Sequence, residues 1–260
     1  ANTGSVAFDR TVYPVPYGSG TAGLQFLPHA SDDNDVALAQ GDVVVHVRVT
    51  DADYNVSAQG EDSITDANVT LNIERGSNVQ FLATYGNTTA VATQGITEVS
   101  PDSGVFEADV TVAYTAGPEN SCPSVFATET VRGGCILQGD IITVEYTDNY
   151  DASGKSQTVT DSATFDLRNG VLQSDKSVYL IGSDMILTLI EPDFDLDNDG
   201  AQSVPLTLIE WDSDAKTTTL AGQVSGTVDA TDAAAFDPEP SELRETGDST
   251  GIFQVVIEIP

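Results

Sequence analysis

The stretch "DVVVHVRVT", residues 42–50, alternates with a period of two: Val43, Val45, Val47 and Val49 share one face, while Val44, His46 and Arg48 share the other. Successive side chains of an extended chain point to opposite sides, so this is a β-strand with one face buried and one wetted. "DIITVEYT", residues 140–147, has the same form, with Ile142, Val144 and Tyr146 opposing Ile141, Thr143 and Glu145. Further runs ("NVTLNIE", "GVFEADVTVAY", "SATFDL", "DMILTLIE", "VPLTLIE" and "GIFQVVIEI") are separated by Gly, Asp, Asn, Ser and Pro. No segment carries convincing helical periodicity. The expected fold class is all-β, assembled as β-sandwiches.

Three landmarks occur twice in the same order. "DRTVYPVP" at Asp9 returns as "DKSVYLIG" at Asp175, an offset of 166. "VTDADYN" returns as "IEPDFDL", matching Asp51, Asp53 and Tyr54 to Glu191, Asp193 and Phe194 at an offset of 140. "TEVSPDSGVF" returns as "RETGDSTGIF", matching Glu98, Gly104 and Phe106 to Glu245, Gly251 and Phe253 at an offset of 147. Drifting offsets mean loop insertions within a shared fold. Two tandem sandwich domains are expected, 1–167 and 168–260, with the junction in "DLRNGVLQSDK", residues 166–176. The first copy runs far past Phe106, whereas seven residues follow Phe253. Either the second domain is a shorter variant or the sequence is a piece of a longer chain; the apolar strand before Pro260 needs neighbours, which favours the latter expectation.

Composition restricts function. The 260 residues carry 41 acidic and 9 basic side chains, a formal charge of -32. Nucleic acid is repelled by such a surface. With 40% hydrophobic residues the chain is no solvated acidic tail. Self-repulsion of this size is relieved by high salt or bound divalent cations; acidity that serves solubility alone is the simpler alternative.

No apolar stretch approaches the ~20 residues that cross a bilayer, so membrane insertion of this segment is not expected. The start, "ANTGSVAFDR", has no signal region and reads as a mature chain or an excised segment. Cys122 and Cys135, in "NSCPSVFATETVRGGC", flank a strand-like run and a Gly-Gly turn. A disulfide between them would contribute on the order of 3 kcal/mol and indicate an oxidising compartment; two buried thiols are the alternative. Sequons stand at Asn55, Asn68 and Asn87, compatible with surface glycosylation.

The densest acidity lies in "EPDFDLDNDGAQS", residues 191–203. Asp195, Asp197 and Asp199 followed by Gly200 reproduce the first half of a D-x-D-x-D-G calcium loop. Alternate carboxylates in a tight turn can converge on one hard cation, and the glycine permits the positive φ that bends the backbone inward. Position twelve is Leu206 and no helices flank the loop, so it is not an EF-hand. A strand-to-strand calcium loop with Asp193 and Glu191 as further ligands is expected, against a solvated acidic loop tip. The related first-domain turn offers Asp51, Asp53 and Asn55, where a glycan on Asn55 would compete with metal ligation.

Catalysis finds little footing. The two histidines, His29 and His46, are far apart, and no nucleophile elbow, H-E-x-x-H, P-loop or dinucleotide fingerprint is present. Among 41 carboxylates a suggestive pair is inevitable, so paired acids carry no signal. No catalytic residue is expected, and the chain is read as a non-enzyme. Trp211, Tyr13 and Tyr179 read as packing residues.

The blocks "GSVAFDRTVYPVP", "GDIITVEYTD", "SATFDLRNGVLQSDKSVYLIGSDMILTLIEPDFDLDNDG" and "LRETGDSTGIFQ" together resemble the surface-layer protein of marine ammonia-oxidising archaea. The resemblance implies a secreted, extracellular cell-surface protein of immunoglobulin-like domains in series that self-associates into a two-dimensional lattice. It also implies a strongly acidic porous coat that admits cations such as ammonium; calcium bound at the acidic loops, read from the residues themselves, would stiffen it. The alternative is a secreted adhesin or binding module built from the same sandwiches.

Overall fold

A computed structural model describes residues 1–15, 23–28, 35–40, 43–64, 68–85, 96–112, 136, 138–214, 216–224 and 227–260. Cys122, Cys135, Asn87 and His29 lie outside the described residues. The chain divides into two compact units, one of Ala1–Gly20 with Gly41–Leu167 and one of Thr21–Gln40 with Arg168–Pro260.

In chain order the strands are β1 (Ser5–Phe8), β2 (Val12–Tyr13), β3 (Gly23–Pro28), β4 (Asp35–Gln40), β5 (Val43–Thr50), β6 (Ser63–Ile64) and β7 (Val69–Arg75). They continue as β8 (Asn78–Tyr85), β9 (Ile96–Glu98), β10 (Val105–Val112), β11 (Ile141–Asp148), β12 (Gln157–Phe165), β13 (Val171–Ser174) and β14 (Asp184–Ile190). After β15 (Ser203–Val204), β16 (Glu210–Asp212), β17 (Thr217–Thr219), β18 (Gln223–Val224) and β19 (Thr227–Val228) comes a helix, α1 (Ala230–Phe236), then β20 (Glu239–Glu245) and β21 (Ile252–Glu258).

The first unit is a two-sheet β-sandwich. One sheet runs β1-β5-β10-β9-β6 and the other β2-β12-β11-β7-β8, antiparallel except where β2 runs parallel to β12. Alternation sets which side chains meet: Val43, Val45, Val47 and Val49 are buried from one sheet, Ile142, Val144 and Tyr146 from the other. Phe8 of the first sheet and Tyr13 of the second make an edge-to-face pair at 6.2 Å across the core. On the outer face, directly opposed residues of β5 and β10 are charge-paired: His46 Nδ1 lies 2.7 Å from Asp109, and Arg48 Nε donates to Glu107 at 2.6 Å.

The second unit repeats the first of these sheets. Its order, β13-β14-β21-β20-β15, corresponds strand for strand to β1-β5-β10-β9-β6, and Leu187, Leu189, Phe253 and Val255 occupy the buried face. Its other layer is not a second large sheet. The core is closed by a one-turn 3-10 helix (Leu206–Leu208), the ribbons β16–β17 and β18–β19, and α1, which supply Leu206, Ile209, Leu220 and Phe236. Each such fully buried side chain contributes about 1.5–3 kcal/mol relative to exposure. Trp211 packs edge-to-face on Phe236 at 5.4 Å, a packing role.

The helix forms where the sequence carries no convincing helical periodicity. Its sequence, "ATDAAAF", buries Phe236 alone, so it has no apolar stripe from which a 3.6-residue period could be read. Alanine propensity and a cap stabilise it locally: the Asp229 carboxylate accepts the Thr231 amide at 2.9 Å.

Candidate functional site

The repeated landmarks are two hydrogen-bonded devices, each built twice. In the first, the Asp9 carboxylate accepts the Tyr13 hydroxyl and, at 3.2 Å, the His46 amide; Asp175 accepts the Tyr179 hydroxyl at 2.6 Å and the Ile186 amide at 2.9 Å. A four-residue separation lets the acid anchor the tyrosine that follows it, which is why the D-x-x-x-Y spacing recurs. Burial and the neighbouring Asp9 anion raise the Tyr13 hydroxyl well above its ordinary range, keeping it a neutral donor.

The second device is a buried glutamate inside a tight turn. Glu98 accepts the Gly104 amide at 2.6 Å and the Asp62 amide at 3.1 Å; Glu245 accepts the Gly251 amide at 2.7 Å and the Gln202 amide at 3.1 Å. The Ser103 hydroxyl donates to Glu98, and the Thr250 hydroxyl to Glu245, both at 3.2 Å. Both glutamates are almost wholly buried, at 2% and 3% exposure. Burial pushes the Glu98 carboxyl up, but the donors from Gly104, Asp62 and Ser103 together hold it below the usual glutamate range. The glycines are obligatory, with φ of +63° at Gly104 and +60° at Gly251, each pressed on the neighbouring acidic turn at Ala52 or Pro192.

Those acidic turns hold the expected metal ligands. Asp51 is buried and spends both oxygens internally: Oδ1 accepts the Asp53 amide at 2.9 Å and Oδ2 the Tyr146 hydroxyl at 2.5 Å. Asp53 accepts the Asn2 amide at 2.9 Å. Asn55 donates its side-chain amide to Asp102 at 3.1 Å, and Asn68 to the Tyr54 hydroxyl at 2.9 Å. Asp148, also buried, accepts the Gly4 amide at 2.9 Å.

In the second unit Glu191 caps the one-turn helix Pro192–Phe194 by accepting the Asp193 amide at 3.2 Å. Burial pushes its carboxyl up to about 7, and the Asp193 charge adds to the shift while Arg168 opposes it. Asp193 is turned inward and accepts the Arg168 amide at 2.5 Å. Asp195 is also buried and receives the Ser249 hydroxyl at 3.5 Å. Asp197 accepts the Asp199 amide at 3.0 Å, a local turn that aims its carboxylate at its own backbone.

This geometry bears directly on a cation. Within either unit, no three carboxylates among the described residues bring oxygens within 4.8 Å of one another. Gly200, expected to bend the loop through a positive φ, is not among the glycines with positive φ. The bend comes instead from the 3-10 turn at Pro192–Phe194 and from Gln202, whose side-chain amide donates to the Asp197 carbonyl at 2.7 Å and to that of Gly200. Holding a cation with Asp195, Asp197 and Asp199 would require this loop to draw in.

Sequence reasoning used Glu98 and Glu245 only as landmarks. The pattern of a glutamate six residues before a glycine and eight before a phenylalanine, written twice, was the available signal for their role. No protein-family model matches the chain, and no curated protein matches it.

Proposed function

We propose that the chain is a structural segment of an extracellular surface-layer lattice, built from immunoglobulin-like modules in series and stiffened by calcium. The observation that carries this reading is the repetition of one rigid sheet-and-turn device, Glu98 with Gly104 and Glu245 with Gly251, in a chain of charge -32. Repeated modules braced by buried hydrogen bonds suit a load-bearing coat more than a reaction centre. The sequence blocks that resemble surface-layer proteins of marine ammonia-oxidising archaea add to it.

Calcium is the cation in this reading, held where Asp195, Asp197 and Asp199 stand closest in sequence, in the densest acidic run of the chain. A disulfide between Cys122 and Cys135 and glycans at the sequons of Asn55, Asn68 and Asn87 fit the same extracellular setting. In seawater the Debye length is about 4 Å, so only a pore about a nanometre wide keeps its whole lumen within reach of wall charge. Such a pore enriches monovalent cations, ammonium among them, without separating ammonium from sodium.

Electron microscopy of the purified protein at seawater ionic strength, with calcium and with chelator, tests this. Ordered sheets that need calcium are expected. Dispersed particles under both conditions, together with binding of a foreign glycan or protein, would replace the lattice by an adhesin.

A further inference from the structure

The offset of 166 that matches Asp9 to Asp175 also matches Thr3–Gly4 to Asn169–Gly170, the dipeptides that lead into β1 and β13. In the first unit this dipeptide is tied down. The Gly4 amide donates to Asp148 at 2.9 Å, and the Thr3 hydroxyl accepts the Ala152 amide at 3.3 Å. In the second unit it is untied: among the described residues neither the Asn169 side chain nor the Gly170 amide makes a hydrogen bond. Asn169 and Gly170 are both exposed, whereas Gly4 is buried.

Asn169–Gly170 is also the only asparagine–glycine pair in the chain. The side-chain carbonyl of an asparagine can be attacked by the amide nitrogen of the next residue, closing a five-membered imide. The two reacting groups belong to neighbouring residues, so the covalent chain itself supplies their proximity. A side chain on the second residue obstructs the approach, and glycine has none. The fold keeps glycine here for a separate reason: a Cβ at Gly170 would meet a Glu191 carboxylate oxygen at 2.3 Å. The packing of Glu191 on the main chain thus fixes a glycine directly after an exposed, unbonded asparagine.

We propose that Asn169 is a site of spontaneous modification, converting through a cyclic imide to isoaspartate and so releasing the edge strand β13. The Gly170 nitrogen bonds to the Asn169 Cγ, the Cγ–Nδ2 bond breaks, and Nδ2 leaves as ammonia with the proton that Gly170 gives up. Water then opens the imide at either carbonyl, giving aspartate or isoaspartate. Isoaspartate routes the main chain through its Cβ, which adds one backbone atom just ahead of Val171. The chain is held on both sides of that atom: the Arg168 amide donates to Asp193 at 2.5 Å, and Val171 pairs with Ile190. β13 is the weaker hold, because it lies at the end of its sheet beside β14 and all four of its residues are exposed. The inference does not depend on the lattice reading, so failure to form sheets leaves it standing.

The test is peptide mapping by mass spectrometry of the 260-residue protein during incubation at mildly alkaline pH, with isoaspartyl methyltransferase labelling to identify the product. The reference is Asn149, which is exposed too but is followed by a tyrosine whose amide is bonded to Asp148. Asn169 is expected to lose its amide at least ten-fold faster than Asn149, and most of the product is expected to accept the methyl group. Hydrogen–deuterium exchange of the aged protein should be faster across Val171–Ser174. Asn169→Gln, incubated in the same way, should keep both its mass in that peptide and its original exchange. Conversion of Asn169 no faster than that of Asn149 overturns the site. Conversion that leaves exchange at Val171–Ser174 unchanged overturns the release of β13.

Discussion

The Glu98 carboxylate accepts the Gly104 amide at 2.6 Å from inside the turn that Glu98 itself begins. A charged acceptor buried among N–H groups cannot be exchanged for water, so the turn and the carboxylate hold one another in place. The same relation recurs between Glu245 and Gly251, and it makes both turns sensitive to small changes.

Glu245→Ala removes the acceptor for the Thr250, Gly251 and Gln202 amides, which bond it at 2.7, 2.7 and 3.1 Å. Donors left without a partner cost about 1–3 kcal/mol each, partly relieved by entering water, so a net loss of about 3 kcal/mol is expected. Urea denaturation followed by the fluorescence of Trp211, which lies in the same unit, measures it.

Gly251→Ala should be the more damaging of the two glycine substitutions. Both positions force φ near +60°, a cost of about 1–2 kcal/mol for a residue with a Cβ. At Gly251 that Cβ also meets the Pro192 Cα at 2.8 Å, whereas at Gly104 its nearest neighbour, the Ala52 Cα, is at 3.4 Å. Equal losses of stability in the two variants would contradict the close approach.

Acid should weaken the first unit through Glu98. Its folded-state carboxyl titrates below the ordinary value of 4.5, so its contribution is fully present above that pH and is lost as pH falls below it. Melting temperatures of the native protein and Glu98→Gln from pH 6 to pH 3 should converge on acidification. Parallel curves would remove Glu98 from the account.

Tyr146→Phe strips the hydroxyl from the buried Asp51 carboxylate, to which it donates at 2.5 Å, while leaving the ring against Gly4. A bond to a charged group is worth about 1.5–3 kcal/mol, so a loss of about 2 kcal/mol is expected by denaturant titration.

Calcium should raise the melting temperature, and Asp195→Ala combined with Asp197→Ala should remove the increment. Identical melting curves in calcium and in chelator would eliminate the metal from the proposed function.

The alternation in "DVVVHVRVT" determined by itself which side of β5 is buried, because a pleated strand has only two faces and a valine is favoured on the dry one. The repeated D-x-x-x-Y and E-x5-G-x-F spacings likewise determined that one anchor and one turn are built twice, since each pattern encodes a local bond that its own residues complete, whereas the shared sheet order is visible only in the structure. The roles of the acidic residues were not legible in this way. Asp51 and Asp193 look like surface ligands in the sequence, yet the fold buries both and spends them on Tyr146 and Arg168. Tyr146 lies 95 residues away from Asp51 in the chain, and a carboxylate's role is set by whichever donor the tertiary structure carries to it. Tertiary structure alone also decided that the second unit closes its core with ribbons and α1, leaving Val178–Ile181 open, because a capped alanine-rich turn has no periodic signature and burial is a property of what packs across the sheet.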